Sequence, residues 1–244
     1  GCTHVVHLAA QTSVAASFLD KAKNHQINVN GTRNIIDFVN SNDIVKVLAA
    51  SSAAVYGDCE QLPLGEEMAG NCLSPYAESK YQNETELLSL VNDKTSVSVL
   101  RFFNVYGQGQ GIDSNYGAVI PSFIDKITSG LSPTIFGNGK QSRDFIEVSD
   151  VVGLIKQILL SEKQLSNDVY NVATQTETSI EQLLRIIANA ASKSNTIKAV
   201  PSAIYVNKRG GDITSSCANI SKVKSAFDWE PKIALEQGIS ALVE

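Results

Sequence analysis

The run Leu48-Ala49-Ala50-Ser51-Ser52 ends an apolar stretch on two adjacent hydroxyls, and Ser74-Pro75-Tyr76 further on marks where a helix opens. Few folds bring two such features to one place. A strand that is apolar on both faces belongs in a parallel sheet covered on both sides, and open sheets of that kind gather their ligands at the carboxyl ends of the strands. The stretches 3–9, 45–50, 97–103 and 169–172 share this character, and helical patterns separate them. The expected fold is therefore α/β, a doubly wound parallel sheet, with Ser51 and Ser52 at a strand tip.

The helix that opens at Ser74 carries Tyr76 and Lys80 one turn apart on one face. Ser74 suits the N-cap, and Pro75 suits the first helical position, where a missing N–H costs nothing. A phenol with a pKa of about 10 is a poor base at neutral pH, and lowering it by about three units takes roughly 4 kcal/mol. An ammonium at about 4 Å supplies energy of that order in a partly screened site. Ser52 is placed to hydrogen-bond the oxygen that Tyr76 would deprotonate. Taken alone, the Tyr-Lys spacing also fits a half-buried tyrosine beside a solvated lysine.

The totals narrow the class. A chain of 244 residues, 43% apolar, can bury one large core or two lobes. A net charge of -5 speaks against a nucleic-acid footprint. The four cysteines, Cys2, Cys59, Cys72 and Cys217, show no metal spacing, so no metal site is expected and a reducing, cytoplasmic setting is. No apolar run reaches membrane length, and no signal-peptide pattern is present. Further on, 27–39 has one apolar helix face and 57–73 reads as a surface loop able to line a site. A helix is expected at 118–128, another from a Ser149 cap to 160, and a capping box at Thr178 and Glu181 before a helix at 180–191.

Strand, Ser-Ser, Tyr76 and Lys80, followed by Arg101-Phe102-Phe103-Asn104, Arg143-Asp144 and Arg209-Gly210-Gly211-Asp212, occur in an order that resembles the extended short-chain dehydrogenase/reductases, specifically the nucleotide-sugar 4-epimerases. The resemblance covers nearly the whole chain. It implies a Rossmann-like cofactor domain at 1–106 and 144–173 and a smaller substrate lobe at 107–143 and 174–244. It also implies that the chain begins at the fourth strand, with two to three β/α units, on the order of 60 to 80 residues, before it.

The same resemblance implies NAD as cofactor and a UDP-sugar as substrate, with a homodimer as the full-length assembly. Ser52, Tyr76 and Lys80 become the catalytic candidates. Leu8, Ala9, Ala10, Gln11, Thr12, Asn28, Ser51 and Phe103 join Tyr76 and Lys80 as cofactor contacts. Ser52, Asn104, Ala118, Val119, Thr134, Phe136, Arg143, Arg209, Asp212 and Ser216 become substrate contacts. His7 and Phe102 are better read as core residues, and Arg143-Asp144 alone could be a surface ion pair. Ser216 stands where some members of the family carry a tyrosine, which leaves room for an acetamido group.

Related dehydratases and decarboxylases carry an acidic residue just after the serine. Here Ala53-Ala54 occupies that interval, which favours epimerisation through a transient 4-keto sugar over elimination or reduction. A non-catalytic NAD-fold protein is the remaining rival, and the retained Tyr76 and Lys80 argue against it.

Overall fold

The computed structural model describes residues 1–90, 94–111, 118–162, 167–194, 201–208 and 213–244. Strand β1 (His4–His7) leads through two short helices, α1 (Val14–Leu19) and α2 (Lys21–His25), into a π-helical turn at Gln26–Asn30 and helix α3 (Gly31–Asn40). Then come β2 (Lys46–Ser52), a 3₁₀ turn at Ala53–Tyr56, α4 (Pro75–Leu88), β3 (Ser96–Phe102) and β4 (Asn104–Tyr106). The second half comprises α5 (Val119–Thr128), β5 (Thr134–Phe136), β6 (Ser142–Glu147), α6 (Val148–Leu160), β7 (Asp168–Val172), β8 (Glu177–Ser179), α7 (Ile180–Lys193), β9 (Ile204–Val206), α8 (Ser221–Phe227) and α9 (Leu235–Val243).

The main sheet runs β1-β2-β3-β7, every pair parallel. Its two faces bury alternate residues of the same strands, as the period of two requires. Val47, Ala49, Val97, Val99 and Val169 pack with Val39 of α3 and Leu87 of α4. Leu48, Leu100 and Tyr170 pack on the other side with Leu154 and Ile158 of α6 and with Val223 and Phe227 of α8. Helices therefore cover both faces, the doubly wound arrangement expected from the apolar runs.

A separate core lies under β4-β6-β8 and the β5-β9 pair, where Ile120, Phe123 and Ile127 of α5 meet Leu183 and Ile187 of α7 and Ile239 of α9. Between the two regions passes a strap, residues 213–220. Its backbone is held by Asp58 Oδ1 at Thr214 N (2.9 Å), by Leu64 on either side of a bridge to Ala218 (Leu64 N to Cys217 O 2.8 Å, Asn219 N to Leu64 O 2.9 Å), and by Asp144 Oδ2 at Ala218 N (3.2 Å). Asp144 is fully buried and also accepts from Thr174 N and Oγ1 at 2.8 and 2.7 Å. It anchors the strap, so a surface ion pair with Arg143 is not the arrangement found.

Several local expectations shift. Ser74 caps α4 as anticipated, its hydroxyl accepting from Ala77 N at 3.1 Å with Pro75 in the first turn. The capping box before α7 is formed by Ser179 and Gln182, one residue later than the Thr178 and Glu181 pattern suggests. Helix α6 is capped by Glu147, which accepts from Ser149 N, and Ser149 lies inside the helix. The helix expected at 27–39 opens instead with the π turn, at which Asn28 is held by hydrogen bonds from three directions.

Candidate active site

Helix α4 lies across the tip of β2. The Tyr76 hydroxyl lies beside that of Ser52, Lys80 Nζ donates to the Ala50 carbonyl at 2.9 Å, and Ser51 Oγ donates to Glu84. Tyr76, Lys80 and Glu84 are all buried. Burial pushes the Tyr76 phenol above its ordinary value, and the Ser52 hydroxyl pulls it partly back. Burial drives Lys80 down to about 8, opposed by the charge of Glu84. The expected lowering of the phenol by Lys80 is thus not what this geometry shows: the lysine is turned to a backbone carbonyl, and Ser52 is the group acting on Tyr76.

In front of this set opens a cleft of about 880 Å³. Of the sequence-derived candidates, Thr12, Ser52, Phe103, Asn104, Val119, Thr134, Phe136, Arg143 and Ser216 line it. Tyr76 and Lys80 are buried and do not line it. Ala118 precedes α5 at the N-cap, next to Val119 on the wall. Arg209 and Asp212 lie outside the described residues. Phe102, read from sequence as core, packs on the main core and also lines the cleft; Val14 and Phe18 of α1, unanticipated, line it too. Gly57 and Leu73 bring the 57–73 loop to the wall, as its composition suggested. Among the described residues Arg143 is the one charged side chain on the wall, which suits it to a phosphate.

The cofactor candidates divide. Leu8, Ala9 and Thr12 are exposed just past the end of β1, and Ala10 and Gln11 are half-buried beside them. Gln11 Oε1 is buried with no protein partner, an acceptor left over in the loop where a dinucleotide would lie. That orphan atom, with small side chains at the strand tip and the Lys80 ammonium behind it, fits NAD. The Asn28 amide oxygen accepts from Gln11 N (2.7 Å), and its NH2 lies within hydrogen-bond distance of Gln11 O (3.1 Å), Asn24 Oδ1 (3.1 Å) and Ser79 Oγ (3.0 Å), so it braces the 8–12 loop against α4. The Ser51 hydroxyl donates to Glu84. His7 pairs with Thr32 Oγ1 at 3.0 Å and is held below its ordinary value, first by burial and then by Lys80, in keeping with a structural reading.

Sequence reasoning missed Glu84 and Arg101. They form a buried bidentate pair, Nε to Oε1 at 2.9 Å and Nη2 to Oε2 at 2.7 Å. A signal was present: an arginine inside an apolar strand needs a buried partner, and Glu84 is one turn beyond Lys80 on the same helix face.

A doubly wound parallel sheet with a serine at a strand tip and a Tyr-Lys pair on the next helix defines a short-chain dehydrogenase/reductase. The profile of the NAD-dependent epimerase/dehydratase family matches residues 1–173. The chain belongs to that family, and its cofactor is NAD. It is 38% identical over 242 residues to a putative UDP-glucose 4-epimerase of Methanocaldococcus jannaschii, covering 98% of this chain and 75% of that protein. A UDP-N-acetylglucosamine 4-epimerase of Methanobrevibacter ruminantium, solved with UDP-N-acetylmuramic acid, superposes with a TM-score of 0.90 at 34% identity, covering 98% of this chain and 75% of the other. The UDP-glucose 4-epimerase of Thermotoga maritima, solved with UDP-glucose, gives a TM-score of 0.90 at 28% identity, covering 99% and 76%.

Proposed function

We propose that this protein interconverts UDP-hexoses at C4 through a transient 4-keto sugar, with UDP-glucose and UDP-galactose as substrates and their N-acetylated forms also accepted. The observation that carries the reading is the Ser52, Tyr76 and Lys80 set behind a wall on which Ala53 and Ala54 replace any acid. Elimination needs an extra proton-transfer group, and among the described residues the wall holds no carboxylate.

NAD, held along residues 8–12 and beside Lys80, would supply reversible hydride chemistry at C4 and a positive charge at the site. The remaining work belongs to the chain. Tyr76 Oη takes the proton of the 4-hydroxyl and gives it back, while Ser52 Oγ bonds the same oxygen through both steps. The resting phenol lies too high to be a base, so it is ready to act as an acid, and its activation as a base belongs to the loaded site. Lys80, titrating near 8, is the adjacent cation. Arg143 takes a phosphate of the UDP, Phe136 and Thr134 the uracil, Asn104 the diphosphate, and Arg209 and Asp212 complete the nucleotide clamp.

The cofactor side comprises 1–106 and 144–173, and the sugar side 107–143 and 174–244. Separate cores under the two sheets support that division, although Ala218, Ile220, Trp229 and α8 pack on the cofactor side and Tyr106 and Phe145 on the sugar side. We infer a cytoplasmic homodimer. Four free cysteines suit a reducing compartment, and among the described residues no helix is long and apolar enough to cross a membrane.

The test is NMR analysis of the products formed from UDP-glucose and from UDP-N-acetylglucosamine with NAD. The expected product is the 4-epimer alone. Accumulation of a 4-keto-6-deoxy sugar would instead make the protein a dehydratase.

A further inference from the structure

Helix α4 meets β2 along three rungs one turn apart: Tyr76 to Ser52, Lys80 to the Ala50 carbonyl, and Glu84 to the Ser51 hydroxyl. Residues i, i+4 and i+8 share a helix face, so three consecutive residues at a strand tip set both the roll and the rise of the helix. The third rung has no evident part in the chemistry. It is also the costly one, because a buried carboxylate requires full compensation and an apolar pair in its place would often be as stable. Compensation comes from Arg101, opposite Ser51 on the β2–β3 ladder. Arg101 is in turn held by Tyr56 Oη at 2.9 Å and the Glu66 carbonyl at 2.6 Å.

We propose that Glu84 is a positioning residue for the reaction: clamped by Arg101, it sets the register of α4 on the β2 tip and so keeps Tyr76 and Lys80 in line with Ser52. This rests on the roles given to Tyr76 and Lys80 above. The groups around Lys80 are Glu84 from its own helix, His7 from β1 and the Ala50 carbonyl from β2, with Arg101 of β3 behind Glu84 and Tyr76 one helical turn away. Glu84 is the anion among them, and its loss leaves less of the ammonium form of Lys80 at neutral pH.

With NAD and UDP-glucose, Glu84→Gln is expected to lower kcat by at least about tenfold while KM stays within about twofold. NMR of ε-¹³C-labelled lysine should place the Lys80 titration midpoint of the variant below that of wild type, because the raising charge of Glu84 is lost. The apolar pair Glu84→Met with Arg101→Met removes the charges but keeps the volume, and is expected to melt near wild type with the same two defects. Wild-type kcat in either variant, a lowered kcat with an unmoved Lys80 midpoint, or failure of the apolar pair to fold overturns the proposal. If Tyr76→Phe keeps full turnover, it is the role of Tyr76 that fails; the lysine titration reads Glu84 without reference to turnover.

Discussion

Tyr76 and Lys80 are both buried and both carry pKa values pushed toward the neutral form, so their cost and their use can be measured separately. Proton transfer of the kind given to Tyr76 contributes about 100- to 10,000-fold. Tyr76→Phe is therefore expected to slow turnover by at least about 100-fold while UDP still binds, checked by steady-state kinetics beside calorimetry with UDP. For Lys80 the sign follows from linkage. Its folded value of about 8 lies below the ordinary 10.5, so between those pH values the unfolded chain holds more protons and stability rises with pH. Below about 8 the fold carries the buried ammonium at a cost on the order of 3 kcal/mol. Lys80→Met should thus be more stable than wild type at pH 7, with the advantage shrinking toward pH 10, and lack turnover; urea melts at both pH values read this. What the sequence made legible at this scale was local. Ser52, Tyr76 and Lys80 follow from strand-end and helix spacing, whereas Glu84 with Arg101, and Asn28 with Gln11 and Ser79, are joined by sheet register and helix docking, which no short window displays.

Elements were legible wherever hydrophobic pattern and capping chemistry agreed. Helix α4, with Ser74 and Pro75 at its start, is such a case. Where two hydroxyls or acids compete for a cap, the winner depended on tertiary position: Ser179 over Thr178, and Glu147 over Ser149. The pairing of β5 with β9 had no signal at all, because each strand is three residues long and they are far apart in the chain. The least expected element-level contact is Lys46, a buried lysine inside an apolar strand. Its ammonium donates to the carbonyls of Ile158 (2.9 Å) and Leu159 (3.3 Å), and to that of Ser161, closing the carboxyl end of α6. A cation there satisfies orphan carbonyls and complements the helix dipole. Lys46→Met is expected to cost about 1–3 kcal/mol in urea unfolding with activity per folded molecule retained; an unchanged midpoint would show that the cap contributes nothing.

Across the whole molecule the cleft is assembled from distant parts of the chain, with Ser216 on the strap, Phe136 on β5 and Ser52 on β2. Ser216 is buried and backed by Asp144 through the neighbouring Ala218 amide, so a larger side chain there has little room except toward the cleft. Ser216→Tyr is expected to reduce turnover of UDP-N-acetylglucosamine relative to UDP-glucose by about tenfold or more, and an unchanged ratio by NMR would remove Ser216 from substrate selection.

The strap has a thermodynamic consequence as well. Stitched to Asp58 and Leu64 on one side and to Ser142 and Asp144 on the other, it denies the two cores the chance to come apart independently. Heating should accordingly give one calorimetric endotherm, and a uridine nucleotide seated near β5 should slow amide exchange as far away as β7.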